Sequence, residues 1–305
     1  MNRRLIKINI ILWIVVLVIS ITWFIVLALK KNINFTPYFS FNLGSSNRSE
    51  FIAMEEQIVR DDISDVLVDW ISGDVNILKS KNNEIKIVQM AGVNFSQDEL
   101  FSYKINKGKL SIVDGRKGKF KIGININNNG TDLEVYLPED EFNSININSV
   151  SSNITAENIK ADKLIFDTTS GDIKFSGEFS EVDIRTVSGK IKCDNLYAQC
   201  VNFDTTSGDI IISGSLTELD INTISGDVEI HSSKMIQNIK SNAISGDVSI
   251  TIPENDGFTI DFDKVSGKLE SDFAFITSGD RHTYKNGTLK FSAKAISGDF
   301  KISRE

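Results

Sequence analysis

Apolar positions are distributed in two different ways along the chain. Residues 8–29, INIILWIVVLVISITWFIVLAL, are apolar almost without interruption, with Asn9, Ser20 and Thr22 as the only polar residues and no charge. At about 1.5 Å per residue the run spans roughly 33 Å, enough for a hydrocarbon core of about 30 Å. It is longer than the 7–15 apolar residues typical of a cleaved signal peptide, and Leu27-Ala28-Leu29 is a poor cleavage site. The run predicts one uncleaved transmembrane helix. Arg3, Arg4 and Lys7 precede it, while Lys30 and Lys31 follow it. That bias predicts a cytoplasmic N-terminus over residues 1–7 and places the rest of the chain outside the cell. Residues 30–60 read as a juxtamembrane linker, within which 51–60, FIAMEEQIVR, fits either a short helix or a first strand.

From residue 61 to 305 the pattern changes to short alternations such as DVLVDW, EIKIVQM and DLEVYLP, separated by turn residues. Period two is the mark of half-buried strands. β-Branched residues dominate, and no stripe of period 3.6 is sustained. This part of the chain is predicted to be all-β.

It is also repetitive. FDTTSGDI occurs at Phe166–Ile173 and again, unchanged, at Phe203–Ile210. Related corners are VSSNI at Val150, VSGKI at Val187, ISGDV at Ile224 and Ile244, VSGKL at Val265 and ISGDF at Ile296, with an outlying ISGDV at Ile71. The corner serines, 151, 170, 188, 207, 225, 245, 266 and 297, are spaced by 19, 18, 19, 18, 20, 21 and 31 residues. Apolar residues recur three and five places after Ser and four places before it. The residue just before Ser (Val187, Ile224, Ile244, Val265, Ile296) is read as part of the same interior set.

One repeat per coil of a parallel β-solenoid would stack equivalent side chains about 4.8 Å apart and explain the constant offsets. The prediction is a single-stranded parallel β-helix with repeats of about 18–21 residues. An antiparallel β-sandwich, with one hairpin per repeat, is the alternative. Gly171, Gly189, Gly208, Gly226, Gly246, Gly267 and Gly298 are the predicted corners, where glycine supplies a positive φ. With coils expected to stack in sequence order, the next position holds Asn153, Asp172, Lys190, Asp209, Asp227, Asp247, Lys268 and Asp299 from coil to coil. Asp172, Asp209, Asp227, Asp247 and Asp299 form either a surface strip that holds a ligand or a row of turn residues facing water and bonding backbone. The second reading is preferred.

Composition narrows the chemistry. The net charge is −8, and the chain has only two His and two Cys. An acidic chain with no basic stripe predicts no nucleic-acid partner, and argues against electrostatic binding to acidic polymers or anionic lipid. His231 and His282 lie in unrelated stretches, and GxSxG, HExxH and GxxxxGK[ST] are absent. No catalytic, metal or cofactor residues are assigned. Cys193 occupies an apolar offset and reads as core; pairing with Cys200 is left open.

The [VI]-SG-[DK]-[IVLF] corners, the phrases DLEVYLPED at 132–140 and DVSITIPEND at 247–256, and the closing GTLKFSAKAISGDFKI resemble the bacterial putative-adhesin family, a domain of unknown function built from β-strand repeats. Ser151-Ser152 in place of Ser-Gly, and Lys190 and Lys268 in place of Asp, depart from its pattern. The resemblance implies a β-solenoid outside the cell, brings no catalytic residues, and names no partner beyond an unidentified protein or cell-surface polymer. The expectation is a non-enzymatic, single-pass envelope protein acting as an adhesin or interaction scaffold. An accessory regulator of an envelope-stress signalling system is the alternative, and a glycan-active β-helix enzyme is third.

Overall fold

The computed structural model describes residues 51–92, 95–117 and 131–305. The run 8–29, and with it the expected span and its orientation, lies outside the described residues. Among the described residues no helix is long and apolar enough to cross a membrane. The elements below belong to one compact unit, Ser46–Gly115 with Asn129–Glu305. Among the described residues the only helical turn is a 3-10 turn at Gln97–Glu99.

The middle of the unit follows the repeat. Four long strands, β9 (Ile154–Ser170), β10 (Ile173–Ser188), β11 (Ile191–Ser207) and β12 (Ile210–Ser225), each make one coil. They stack parallel and in register, so that Ile154, Ile173, Ile191 and Ile210 face one another, as do Ser170, Ser188, Ser207 and Ser225. Like therefore stacks on like. Ala156, Phe175, Cys193 and Ile212 form a second interior column; Leu164, Val182, Val201 and Leu219 a third; Phe166, Ile184, Phe203 and Ile221 a fourth, all buried. Each fully buried Ile, Leu or Phe contributes about 1.5–3 kcal/mol. The solenoid prediction holds, although the strands run on through the coil instead of breaking into four-residue pieces.

The alternation of 19- and 18-residue repeats has a local cause. Between β9 and β10 the register jumps from Ala156↔Phe175 to Ile159↔Gly177, so Glu157 and Asn158 oppose Ser176 alone. Asn158 takes φ 57°, and Asn195 takes φ 58° at the matching place in β11. The longer coils carry a β-bulge that asparagine accommodates.

The corner glycines are fixed by two requirements. Gly226 has φ +125°, and a Cβ there would lie 2.3 Å from the carbonyl oxygen of Gly208 in the preceding coil. A side chain would thus be strained and would also force the coils apart. In the one coil where Ser152 replaces glycine, its side chain is buried.

At both ends chain order departs from spatial order. β2 (Asp65–Ser72) and β3 (Val75–Lys79) carry the outlying ISGDV and make a coil of their own. β2 lies on β8 (Phe142–Ser151), and β3 lies on β9. Their far sides are covered by later strands, β6 (Lys109–Val113) on β2 and β7 (Asp132–Leu137) on β3. β4 (Ile85–Ala91) adds antiparallel to β7, β1 (Ile52–Val59) to β4, and β5 (Ser102–Asn106) to β6. Residues 51–60 therefore hold a strand. Beneath this end Trp70 Nε1 donates to Thr131 O (2.9 Å), and Gln89 bridges Thr131 Oγ1 and the Phe101 amide.

The other end mirrors this arrangement. β13 (Val228–Ser232) and β14 (Asn238–Ser245) stack on β12, and β15 (Val248–Ile252) stacks on β13. The next coil is not the next in sequence. β20 (Leu289–Ser297) lies on β14, and β21 (Phe300–Arg304) lies on β15. The earlier strands β16 (Gly257–Lys264) and β17 (Leu269–Ser271) cover them from outside. β18 (Ile276–Ser278) and β19 (Arg281–Lys285) complete the end, with β19 antiparallel to β16. The corner serines thus stack in the order 72, 151, 170, 188, 207, 225, 245, 297 and 266, and the sequential order expected for the last two is corrected.

Candidate interaction surface

The corner column contains the carboxylates singled out in the sequence. In stacking order it reads Asp74, Asn153, Asp172, Lys190, Asp209, Asp227, Asp247, Asp299, Lys268. Asp74 accepts from Asn153 Nδ2 (3.0 Å), and each later acidic side chain accepts the backbone N–H of the same position one coil on. The Lys190 amide donates to Asp172 (2.9 Å), Asp227 to Asp209 (3.2 Å), Asp247 to Asp227 (3.0 Å), Asp299 to Asp247 (2.8 Å) and Lys268 to Asp299 (2.8 Å). Asn153 Oδ1 does the same for Asp172 (3.1 Å), and Asp132 for Asp74 (2.8 Å). These carboxylates tie coil to coil. Their like charges sit in water and each has a donor at hand, which offsets the repulsion along the column.

A second column corrects the sequence reading. The residue just before the corner Ser points outward: Val150, Val187, Ile224, Ile244, Ile296 and Val265 are all exposed, Val265 at 82%, and in two coils exposed Thr169 and Thr206 take the place. The interior place is taken one residue earlier by Thr168, Thr186, Thr205 and Thr223, all buried. Thr168 and Thr186 satisfy their hydroxyls on the carbonyls of Ser170 and Ser188, both at 3.2 Å. Alternation from Phe166 through Thr168 carried this parity, but the apolar character of the following Val or Ile masked it.

Beside the apolar stripe runs a polar row made by Asp69, Asn148, Asp167, Arg185, Asp204, Asn222, Asn242, Lys294 and Asp263. Its side chains link laterally: Asn148 to Asp69 (3.0 Å), Arg185 to Asp204 (3.7 Å), Asn222 to Asp204 (2.8 Å) and Asn242 to Asn222 (2.8 Å). Stripe and row together line a shallow groove of about 430 Å³ over five coils, and Ile244, Ile296 and Val265 line a second one beyond it. Asp183, nearly buried on this face, has its carboxyl pushed up by burial, opposed by Arg185 at 2.6 Å.

The remaining reactive groups do not converge. His231 reaches Glu305 at 3.5 Å across the intervening β15, and His282 meets Thr277 in the end sheet. Cys193 is buried in the core, where burial pushes its thiol up; Cys200 is half-buried with its sulfur 3.9 Å from Glu218, and both are free.

Residues 63–303 match the family described as Toastrack DUF4097. The chain belongs to that family. The Toastrack match spans every corner serine from Ser72 to Ser297 and leaves β1 outside it. No curated protein matches the chain. Among solved structures, a Parabacteroides distasonis protein titled as a putative lipid binding protein is 11% identical, with 81% of this chain and 96% of that one covered and a TM-score of 0.50. A Bacteroides fragilis protein titled as a putative adhesin is 11% identical over 82% and 98% of the two chains, with a TM-score of 0.45. A Clostridium sporogenes protein titled as a putative cell adhesion protein is 14% identical over 82% and 99%, with a TM-score of 0.27. At such identities the Parabacteroides protein shares the fold and nothing more is transferred.

Proposed function

We propose that this Toastrack protein is a single-pass protein of the bacterial cell envelope that acts by binding. Residues 8–29 anchor it, and the β-solenoid stands outside the cell. One observation carries the binding role: Val150, Val187, Ile224, Ile244, Ile296 and Val265 are exposed in one column of outward positions, unbroken over the four coils from Ile224 to Val265. Folding alone does not call for them there, because the interior columns are filled without them. Contiguous exposed apolar surface with a polar rim is the mark of a surface that meets a partner. The flanking row of hydrogen-bonded Asp, Asn and Arg side chains supplies directional contacts. Catalysis is disfavoured because the charged groups of this face neutralise one another, Arg185 pairing with Asp183 and Asp204, while His231 and His282 lie elsewhere.

Two experiments test the reading. A photo-crosslinking residue at Ile224, in cells, is expected to capture a discrete partner that a residue at Lys174, away from the stripe, does not. Equal capture at both positions, or loss of no adduct in an Ile244→Asp variant, overturns the role of the stripe. Protease added to intact cells is expected to remove the chain beyond about residue 50, as the positive-inside bias implies. Full protection in cells shown to be accessible overturns the orientation.

A further inference from the structure

A different face of the solenoid carries a second groove, of about 390 Å³, with another chemistry. In register along it stand Lys160, Glu178, Tyr197 and Ser215, one per coil. Ser180, Gln199 and Thr217 line it two residues on, and Ala161, Phe179 and Ala198 form its buried floor. Tyr197 is the large apolar side chain at its centre and is 57% exposed. We infer that this groove binds a neutral oligosaccharide, with Tyr197 as the platform on which a sugar ring lies.

Three features lead there. First, the groove is electrically balanced. Lys160 and Glu178 are paired at 3.0 Å, and the other charges lining it, Glu141 and Lys234, are opposite in sign. A polyanion or polycation would find no net attraction there, unlike at the corner column with its run of carboxylates. Second, the uncharged lining is hydroxyl and amide. An apolar peptide would leave these groups unpaired, which costs affinity, whereas a hydroxyl-rich ligand pairs with them. Third, an exposed aromatic ring among polar neighbours offers an apolar face with a wet edge, which suits the C–H face of a pyranose. The groove is open and crosses coils about 4.8 Å apart, so it takes several linked sugar units rather than one.

The test uses the full-length chain, solubilised in a detergent without a sugar headgroup, on an array of neutral and charged microbial and host oligosaccharides. The strongest binder is then titrated calorimetrically against variants. Neutral glycans are expected to bind. Tyr197→Ser should weaken binding by about tenfold or more, while Tyr197→Phe, which keeps the ring, should stay within about threefold. Melting temperature should not move in either variant. Absence of any glycan signal, a preference for charged glycans only, or a binder indifferent to Tyr197→Ser overturns the inference.

Discussion

The middle coils and the two ends of this solenoid solve opposite problems. From β9 to β12 each strand lies between two near-copies of itself, and chain order equals spatial order. Repetition alone suffices there, because every apolar offset meets its equivalent. At the ends repetition would leave an open edge, ready to accept another strand. Both ends avoid this by folding back. An outer coil made by β6 and β7 covers the earlier coil of β2 and β3, and the outer coil of β16 and β17 covers the later one of β20 and β21. Antiparallel strands then lie against β6, β7 and β16. Stacking is generic and can continue indefinitely; stopping has to be built separately.

The sharpest way to break this contrast is to remove the inserted coil. Deleting residues 289–305 takes away a layer hydrogen-bonded on both sides and detaches β16 and β17 with it. Loss of the cooperative thermal transition and a rise in aggregation by light scattering are expected. Retention of a single sharp transition would mean that the end coil is dispensable. Next in size is Gly226→Ala in the middle. Backbone strain at φ +125° costs about 1–3 kcal/mol, and the clash with the Gly208 carbonyl adds to it. Urea unfolding should show a lowered midpoint. The same change at Gly92, where no atom lies within 4 Å of the added Cβ, should show almost none.

Smaller still is Asp209→Ala, which removes the acceptor for the Asp227 amide at a corner open to water. The expected loss is about 0.5–1.5 kcal/mol by denaturant titration; a loss as large as that of Gly226→Ala would make the column a primary source of stability. The finest probe is pH at the C-terminal end. Glu254 bonds Lys285 and Tyr284 and pairs with Arg304, and hydrogen bonds from Lys285 and Tyr284 lower its carboxyl to about 2. A depressed carboxyl stabilises the fold fully above its ordinary value of 4.5 and loses that contribution as pH falls toward 2. Melting curves between pH 5 and pH 2 should therefore fall more steeply for the native chain than for Glu254→Gln.

The legibility of the sequence follows the same division. The period, the corner glycines and the interior columns of Ile173, Phe175 and Ile184 are readable because each coil repeats one environment. The stacking order at the C-terminal end is not. Local alternation says that Phe300 belongs inside a coil but not which neighbours that coil has; only the isolated ISGDV at Ile71 and the 31-residue final step hinted at irregular ends. The outward stripe was misread for a different reason. Val187 follows buried Thr186, so hydrophobicity and parity disagree there, and parity decides which side of a strand a residue occupies. The Tyr197 groove had no repeating signature at all, since its residues differ from coil to coil.

The position of β21 also bears on when the molecule can become whole. A chain emerges from its N-terminus onward, yet Phe300–Arg304 must settle between β15 and β17, both made before it. Until then β15 waits with one edge unpaired, and Ile250 lacks the Ile302 that will cover it. A chain lacking Phe300–Arg304 would carry that vacancy permanently, so the interior of the end coil closes only when β21 arrives.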